Sequence, residues 1–155
     1  MDLDRQRLIN VVLADDDSDD CFLFNKALSE IPMATHLIIL KNGEHLMEHL
    51  TMNADHPPDI LFLDLSMPRK TGFECLSEIK ENDKLKDIPV FVLTTSYLGG
   101  MDYEQNLINA LYRFGARDYI RKPVEFEKLK ELIIKAIIQG LAKDGALVPK
   151  GENIF

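Results

Sequence analysis

Four short apolar runs each end in a polar residue of chemical interest. Val11-Val12-Leu13-Ala14 precedes Asp15-Asp16, Ile60-Leu61-Phe62-Leu63 precedes Asp64, Val90-Phe91-Val92-Leu93 precedes Thr94, and Tyr119-Ile120-Arg121 precedes Lys122. Runs of this length, rich in Val, Ile, Leu and Phe, read as strands buried on both faces, which is the pattern of a parallel sheet. Open parallel sheets bind ligands at the C-terminal ends of their strands. Three carboxylates, a hydroxyl and an ammonium are therefore expected at one edge of one sheet.

The segments between the runs have helical periodicity, so strand and helix alternate through the chain as they do in successive βαβ units. Strands are predicted near Leu8–Ala14, His36–Leu40, Asp59–Leu63, Pro89–Leu93 and Asp118–Arg121. Helices are predicted near Asp19–Ser29, Gly43–Met52, Gly72–Glu81, Asp102–Phe114 and Glu125–Leu141. Right-handed crossovers then place helices on both faces of the sheet, giving a three-layer α/β sandwich. The 155 residues suit one domain, expected over residues 1–141, followed by a tail over 142–155 that breaks the helical pattern at Gly145, Pro149 and Gly151 and is too short for an output domain.

A net charge of -8 without a cluster of Lys and Arg speaks against direct nucleic-acid binding. No apolar run approaches the ~20 residues that cross a bilayer, and the charged start Met1-Asp2-Leu3-Asp4-Arg5 is unlike a signal peptide. Cys21 and Cys75 form no CxxC pair and fall on helices expected on opposite faces, so no disulfide is expected. Together these point to a cytoplasmic protein with no membrane association.

The acidic edge sets the chemistry. Two unit charges about 4 Å apart repel by roughly 4 kcal/mol at an effective dielectric near 20, so Asp15, Asp16 and Asp64 together call for a cation. An all-oxygen donor set suits Mg²⁺ (or Mn²⁺) better than zinc. Lys122 and Thr94 could then surround a phosphoryl group, and Asp64, inside an apolar strand end, is the candidate nucleophile, because a carboxylate forms an acyl phosphate without losing a proton. Asp17 and Asp19 read more simply as helix-capping acids.

These residues resemble the receiver domain of two-component response regulators. The resemblance spans about residues 8–140 and rests on Ala14-Asp15-Asp16, Asp64-Leu65-Ser66-Met67-Pro68 followed by Gly72, Thr94-Thr95, Tyr119 and Lys122-Pro123. It implies a flavodoxin-like (βα)5 fold with strand order 2-1-3-4-5. It implies that Asp64 accepts phosphate from a histidine kinase or histidine phosphotransfer protein, and that Asp16, Asp64 and the Ser66 backbone carbonyl bind Mg²⁺, with Asp15 acting through a bound water. Lys122 would pair with a phosphoryl oxygen and Thr94 would hydrogen-bond it. Thr94 and Tyr119 look like the switch pair that alters the face of the fourth helix, fifth strand and fifth helix. Lys122-Pro123 looks like the family's cis peptide.

Against compact members of the family, Ser96–Met101 looks like an insertion, and Leu93-Thr94-Thr95-Ser96 resembles the single-domain subgroup that serves phytochrome-like kinases. We expect this loop to adjust phosphate lifetime or kinase choice; Ser66 and Ser96 lie where the family varies that lifetime. The last helix carries a core stripe of Phe126, Leu129, Ile133, Ala136 and Ile137, and a second apolar side of Ile134, Ile138 and Leu141 that suits either the tail or a homodimer. His45-Leu46-Met47-Glu48-His49 matches a zinc-protease pattern but reads as a solvated helix face. Three rivals stay open: an interaction module that is never phosphorylated; a phosphatase with an Asp nucleophile, disfavoured because Ser66 stands where a second Asp belongs; and a flavin carrier, disfavoured by Asp15-Asp16-Asp17 where a phosphate loop would lie.

Overall fold

The computed structural model describes residues 7–94 and 101–142, the side chains of 101–104 excepted. The strands are β1 (Ile9–Ala14), β2 (Thr35–Leu40), β3 (Ile60–Asp64), β4 (Val90–Thr94) and β5 (Asp118–Arg121), and the helices are α1 (Ser18–Ser29), α2 (Gly43–Met52), α3 (Gly72–Glu81), α4 (Met101–Arg113) and α5 (Phe126–Leu141). All neighbouring strands run parallel in the order β2-β1-β3-β4-β5. Residues 96–100 of the expected loop insertion, Ser96 among them, and the tail from residue 143 onward lie outside the described residues, while Met101, its last residue, begins α4.

Side chains alternate across the sheet because successive strand residues point to opposite faces. Val11, Leu13, Ile60, Phe62, Phe91, Leu93 and Ile120 pack with Cys21, Phe24, Leu28, Ile133 and Ile137 into one core, covered by α1 and α5. Val12, Ala14, Leu61, Leu63, Val90 and Val92 pack with Leu46, Leu50, Cys75, Leu76, Ile79 and Leu111 into the other, under α2, α3 and α4. Cys21 and Cys75 are accordingly free, buried and on opposite faces.

Local chemistry fixes where helices begin. Asp17, in extended backbone, accepts a hydrogen bond from the Asp20 N–H at 2.9 Å and caps α1; Asn42 does the same for α2 from the His45 N–H at 2.8 Å. Thr71 and Glu74 form a reciprocal capping box on α3. The zinc-protease pattern is absorbed here, since the exposed His45 side chain contacts Asn42. On α5 the core stripe includes Leu132 as well as the residues expected from periodicity, and Ile134 and Leu141 pack half-buried against the α1/α5 core. Among the described residues no helix is long and apolar enough to cross a membrane.

Candidate functional site

The alternation that builds the two cores also aims the functional side chains. Asp64 follows Phe62, Lys122 follows Ile120 and Asp15 follows Leu13, each two residues on, so all three share the α1/α5 side at the C-terminal edge of the sheet. Asp15 is 1% exposed and Asp64 5%, while Asp16, next in the chain, is exposed to solvent. One carboxylate oxygen from each of Asp15, Asp16 and Asp64 can be chosen so that all lie within 4.8 Å of one another. Among the described residues no other group of three acidic, His or Cys side chains comes this close.

Lys122 reaches this cluster from β5. Its Nζ lies 3.0 Å from Asp15 Oδ2, 2.8 Å from Asp20 Oδ2 and 3.4 Å from Asp64 Oδ2. Burial alone would lower its pKa, but hydrogen bonds to Asp20 and Asp15 and the charge of Asp64 override this and raise it, so the ammonium stays charged. The Asp64 pKa is raised as well, which here favours the neutral form. Burial, opposed by Lys122 and reinforced by Asp15, pushes its carboxyl up to about 6. The backbone N–H of Ser66 donates to Asp64 Oδ1 at 3.2 Å, and that of Asp17 to Asp15 Oδ1 at 3.0 Å, so each carboxylate is held by the loop that follows it.

Thr94 ends β4, buried, and its carbonyl accepts the Lys122 N–H at 2.8 Å, tying the hydroxyl-bearing and ammonium-bearing strand ends together. Tyr119 pairs with Val92 in the β4–β5 register and packs on the α2/α3/α4 core, so it lies on the face to which Thr94 belongs, one diagonal step away. The expected switch residues are therefore neighbours on a different face from the Asp64–Lys122 pair. One expectation is corrected. The Lys122–Pro123 peptide is trans, the form favoured by about 0.5–1 kcal/mol for X–Pro bonds, and the Lys122 ammonium reaches all three carboxylates with it so.

Sequence reasoning missed Asp20, the nearest partner of Lys122. Its signal was an acid one helical turn after Asp16 at the start of a helix covering the face on which Lys122 emerges. It also missed Asp118, a buried acid at the start of β5 that accepts a hydrogen bond from the Tyr112 hydroxyl at 2.7 Å.

A donor set made only of oxygens, partly buried and with one exposed member, fits a hard divalent cation. Comparison with known proteins agrees with the geometry. Residues 11–134 match the family model described as the response regulator receiver domain. Response regulator Rcp1 of Synechocystis is 32% identical over 127 residues, 79% of this chain and 82% of that protein. The crystal structure of the phosphorylated cyanobacterial phytochrome response regulator RcpA superposes with a TM-score of 0.74 at 28% identity, over 88% of this chain and 96% of that one. The Mn²⁺-bound form of Rcp1 superposes with a TM-score of 0.71 at 29% identity, over 87% and 96%. With strand order, acid cluster, lysine and family model in agreement, the chain belongs to the response regulator receiver domain family.

Proposed function

We propose that this chain is a receiver that takes a phosphoryl group on Asp64 from the phosphohistidine of a histidine kinase or histidine phosphotransfer protein and signals by a change of its α4–β5–α5 face. The observation that carries this reading is the buried Asp64 carboxylate, flanked by Asp15 and by the Lys122 ammonium at 3.4 Å. In the transfer an Asp64 oxygen attacks phosphorus; the O–P bond forms as the N–P bond of the donor breaks, and its electron pair leaves on the imidazole nitrogen. Asp64, with its pKa near 6, is mostly ionised at neutral pH and has no proton to lose. Lys122 and the Thr94 hydroxyl stabilise the charge on the phosphoryl oxygens.

Asp15, Asp16, Asp64 and the Ser66 carbonyl would hold Mg²⁺, or Mn²⁺, with Asp15 acting through a water. The ion supplies charge neutralisation to the carboxylates and the phosphoryl oxygens. Drawing the Thr94 hydroxyl to the phosphoryl group frees space that Tyr119 can enter, which moves the change from the site to the α4–β5 face.

The phosphodonor's landing surface lies beside the site. Leu23 of α1 and Pro123 line one cavity with Lys122, and Phe22 and Val124, their neighbours in the chain, are large exposed apolar residues. We place the protein in the cytoplasm, in keeping with its two free, buried cysteines.

The test is intact mass after incubation with acetyl phosphate, with and without Mg²⁺, for the unaltered chain and Asp64→Asn. Gain of one phosphoryl group that needs both Mg²⁺ and Asp64 is the expected result. No gain in a folded protein, from acetyl phosphate or from a phosphorylated histidine phosphotransfer domain, would leave the phosphate-independent interaction module as the better reading.

A further inference from the structure

Tyr112 lies in the last turn of α4, its ring 48% exposed, and its hydroxyl donates to Asp118 Oδ1 at 2.7 Å. The same oxygen accepts the Tyr119 N–H at 2.8 Å. Asp118 is only 7% exposed at the start of β5, where it pairs with Phe91 of β4. A buried carboxylate thus takes one of its hydrogen bonds from the neighbouring helix and another from the backbone of the expected switch residue. Apolar packing of Leu111 in the core and of Phe114 against Phe73 also holds this helix end, but its backbone hydrogen bonds are local: the Gly115 N–H donates to Tyr112 O and the Ala116 N–H to Leu111 O, both at 3.0 Å, with Gly115 at φ +100. Those bonds travel with α4. The Tyr112–Asp118 bond crosses to β5 and has to break if the helix end leaves the strand.

We propose that the Tyr112–Asp118 hydrogen bond is a latch that holds α4 on β5 in the unphosphorylated arrangement and must open for the α4–β5–α5 face to change. This rests on the phosphoacceptor reading above. In this arrangement Asp15, Asp20 and Asp64 all hold the Lys122 ammonium, and we take it as the unphosphorylated one. Opening the latch strips a buried carboxylate of a donor, which is costly, and the cost falls only on the state that opens. Linkage makes this measurable at the other end of the domain. Whatever stabilises the closed state weakens binding of a phosphoryl ligand by up to the same factor, and removing it strengthens binding.

The probe is beryllofluoride with saturating Mg²⁺, a mimic of the acyl phosphate, titrated into the full chain and into Tyr112→Phe and Asp118→Asn. Tyr112→Phe keeps the half-exposed ring and removes only the hydroxyl. It is expected to bind the probe three- to tenfold more tightly, and to exchange the amides of residues 117–121 faster when free. Asp118→Asn keeps an acceptor oxygen while removing the charge, so it is expected to shift affinity in the same direction by a smaller factor. A loss of stability without a latch role would leave affinity unchanged or lower it. Affinity within twofold of the unaltered chain for a folded Tyr112→Phe would overturn the latch while leaving the phosphoacceptor reading intact. Failure of the unaltered chain to bind the probe would sink both.

Discussion

Asp20, in the first turn of α1, holds the Lys122 ammonium at 2.8 Å, whereas Asp64 holds it at 3.4 Å. The lysine proposed to meet the phosphoryl group is thus engaged more closely by a helix acid than by the proposed acceptor. The Asp20 side chain is 38% exposed, so screening by solvent keeps its contribution to stability small. We predict that Asp20→Asn lowers thermal stability by less than about 1 kcal/mol. It should also increase the rate of Asp64 phosphorylation by acetyl phosphate two- to fivefold at saturating Mg²⁺, as followed by intact mass. A slower rate would mean that Asp20 aims Lys122 rather than restraining it.

Asp64 gives the metal-free protein a definite pH dependence. Its pKa is raised from 3.8 to about 6, chiefly by burial, so the folded state binds this proton more tightly than the unfolded chain does. The resulting stabilisation is complete below pH 4 and is lost as pH rises through about 6. In EDTA at pH 7, Asp64→Asn should therefore be more stable than the unaltered chain, by about 1–2 kcal/mol. The gap should close toward pH 4. Urea denaturation at pH 7 and pH 4.5 reads it directly, and an Asn variant less stable at both would contradict the assignment.

Cation binding should invert that penalty. With Mg²⁺ at 100 times its dissociation constant, stability should rise by about 2.7 kcal/mol, and EDTA should reverse the gain. Affinity should fall as pH drops through 6, because the cation competes with the Asp64 proton. Asp16 is the exposed member of the acid cluster, so Asp16→Asn should weaken Mg²⁺ binding at least tenfold with little effect on the metal-free fold. Isothermal titration gives the first and thermal melting in EDTA the second. Equal affinity in both proteins would remove Asp16 from the site.

What could be read from the chain and what could not divide along a physical line. Strand and helix positions follow from periodicity and agree with the structure to within a residue or so at each end; Thr94, placed just after its strand, ends it. Convergence of Asp15, Asp64 and Lys122 follows from parallel strands alone, and Thr94 ends its strand at the same edge. The partners of Lys122 and Asp118 do not, because they depend on how α1 and α4 are rotated on the sheet, and one sequence does not specify that rotation. Ile134 and Leu141 show the same gap: a broad apolar stripe on α5 reads as a surface for the tail or a second copy, yet both side chains pack half-buried against the α1/α5 core. Resemblance implies a cis Lys122–Pro123 peptide and the structure has it trans; the two isomers of an X–Pro bond differ by only about 0.5–1 kcal/mol, too little for one sequence to specify.

Gly72 joins fold to site. A Cβ at this position would sit 2.6 Å from the Asp64 carbonyl oxygen and 2.7 Å from Leu65 Cα, and the Gly72 N–H donates to Leu65 O at 3.0 Å. These neighbours are backbone at the end of β3, so the clash cannot be relieved by turning a side chain; either α3 moves away or the strand carrying Asp64 shifts. Overpacking of this kind costs about 1–3 kcal/mol. Gly140 is the control, near the end of α5 and remote from the acids, where the nearest atoms to a Cβ are all side-chain atoms, of Ile60, Phe91 and Pro89, at 3.2, 3.3 and 3.5 Å. There the helix propensity of Ala offsets the crowding by up to about 1 kcal/mol. We predict that Gly72→Ala lowers stability by about 2 kcal/mol and reduces acetyl phosphate labelling of Asp64 at least fivefold under conditions where it remains folded. Gly140→Ala should stay within about 1 kcal/mol of the unaltered chain and label normally. If folded Gly72→Ala labels at the normal rate, the position of Asp64 does not depend on the close approach of α3 to the end of β3.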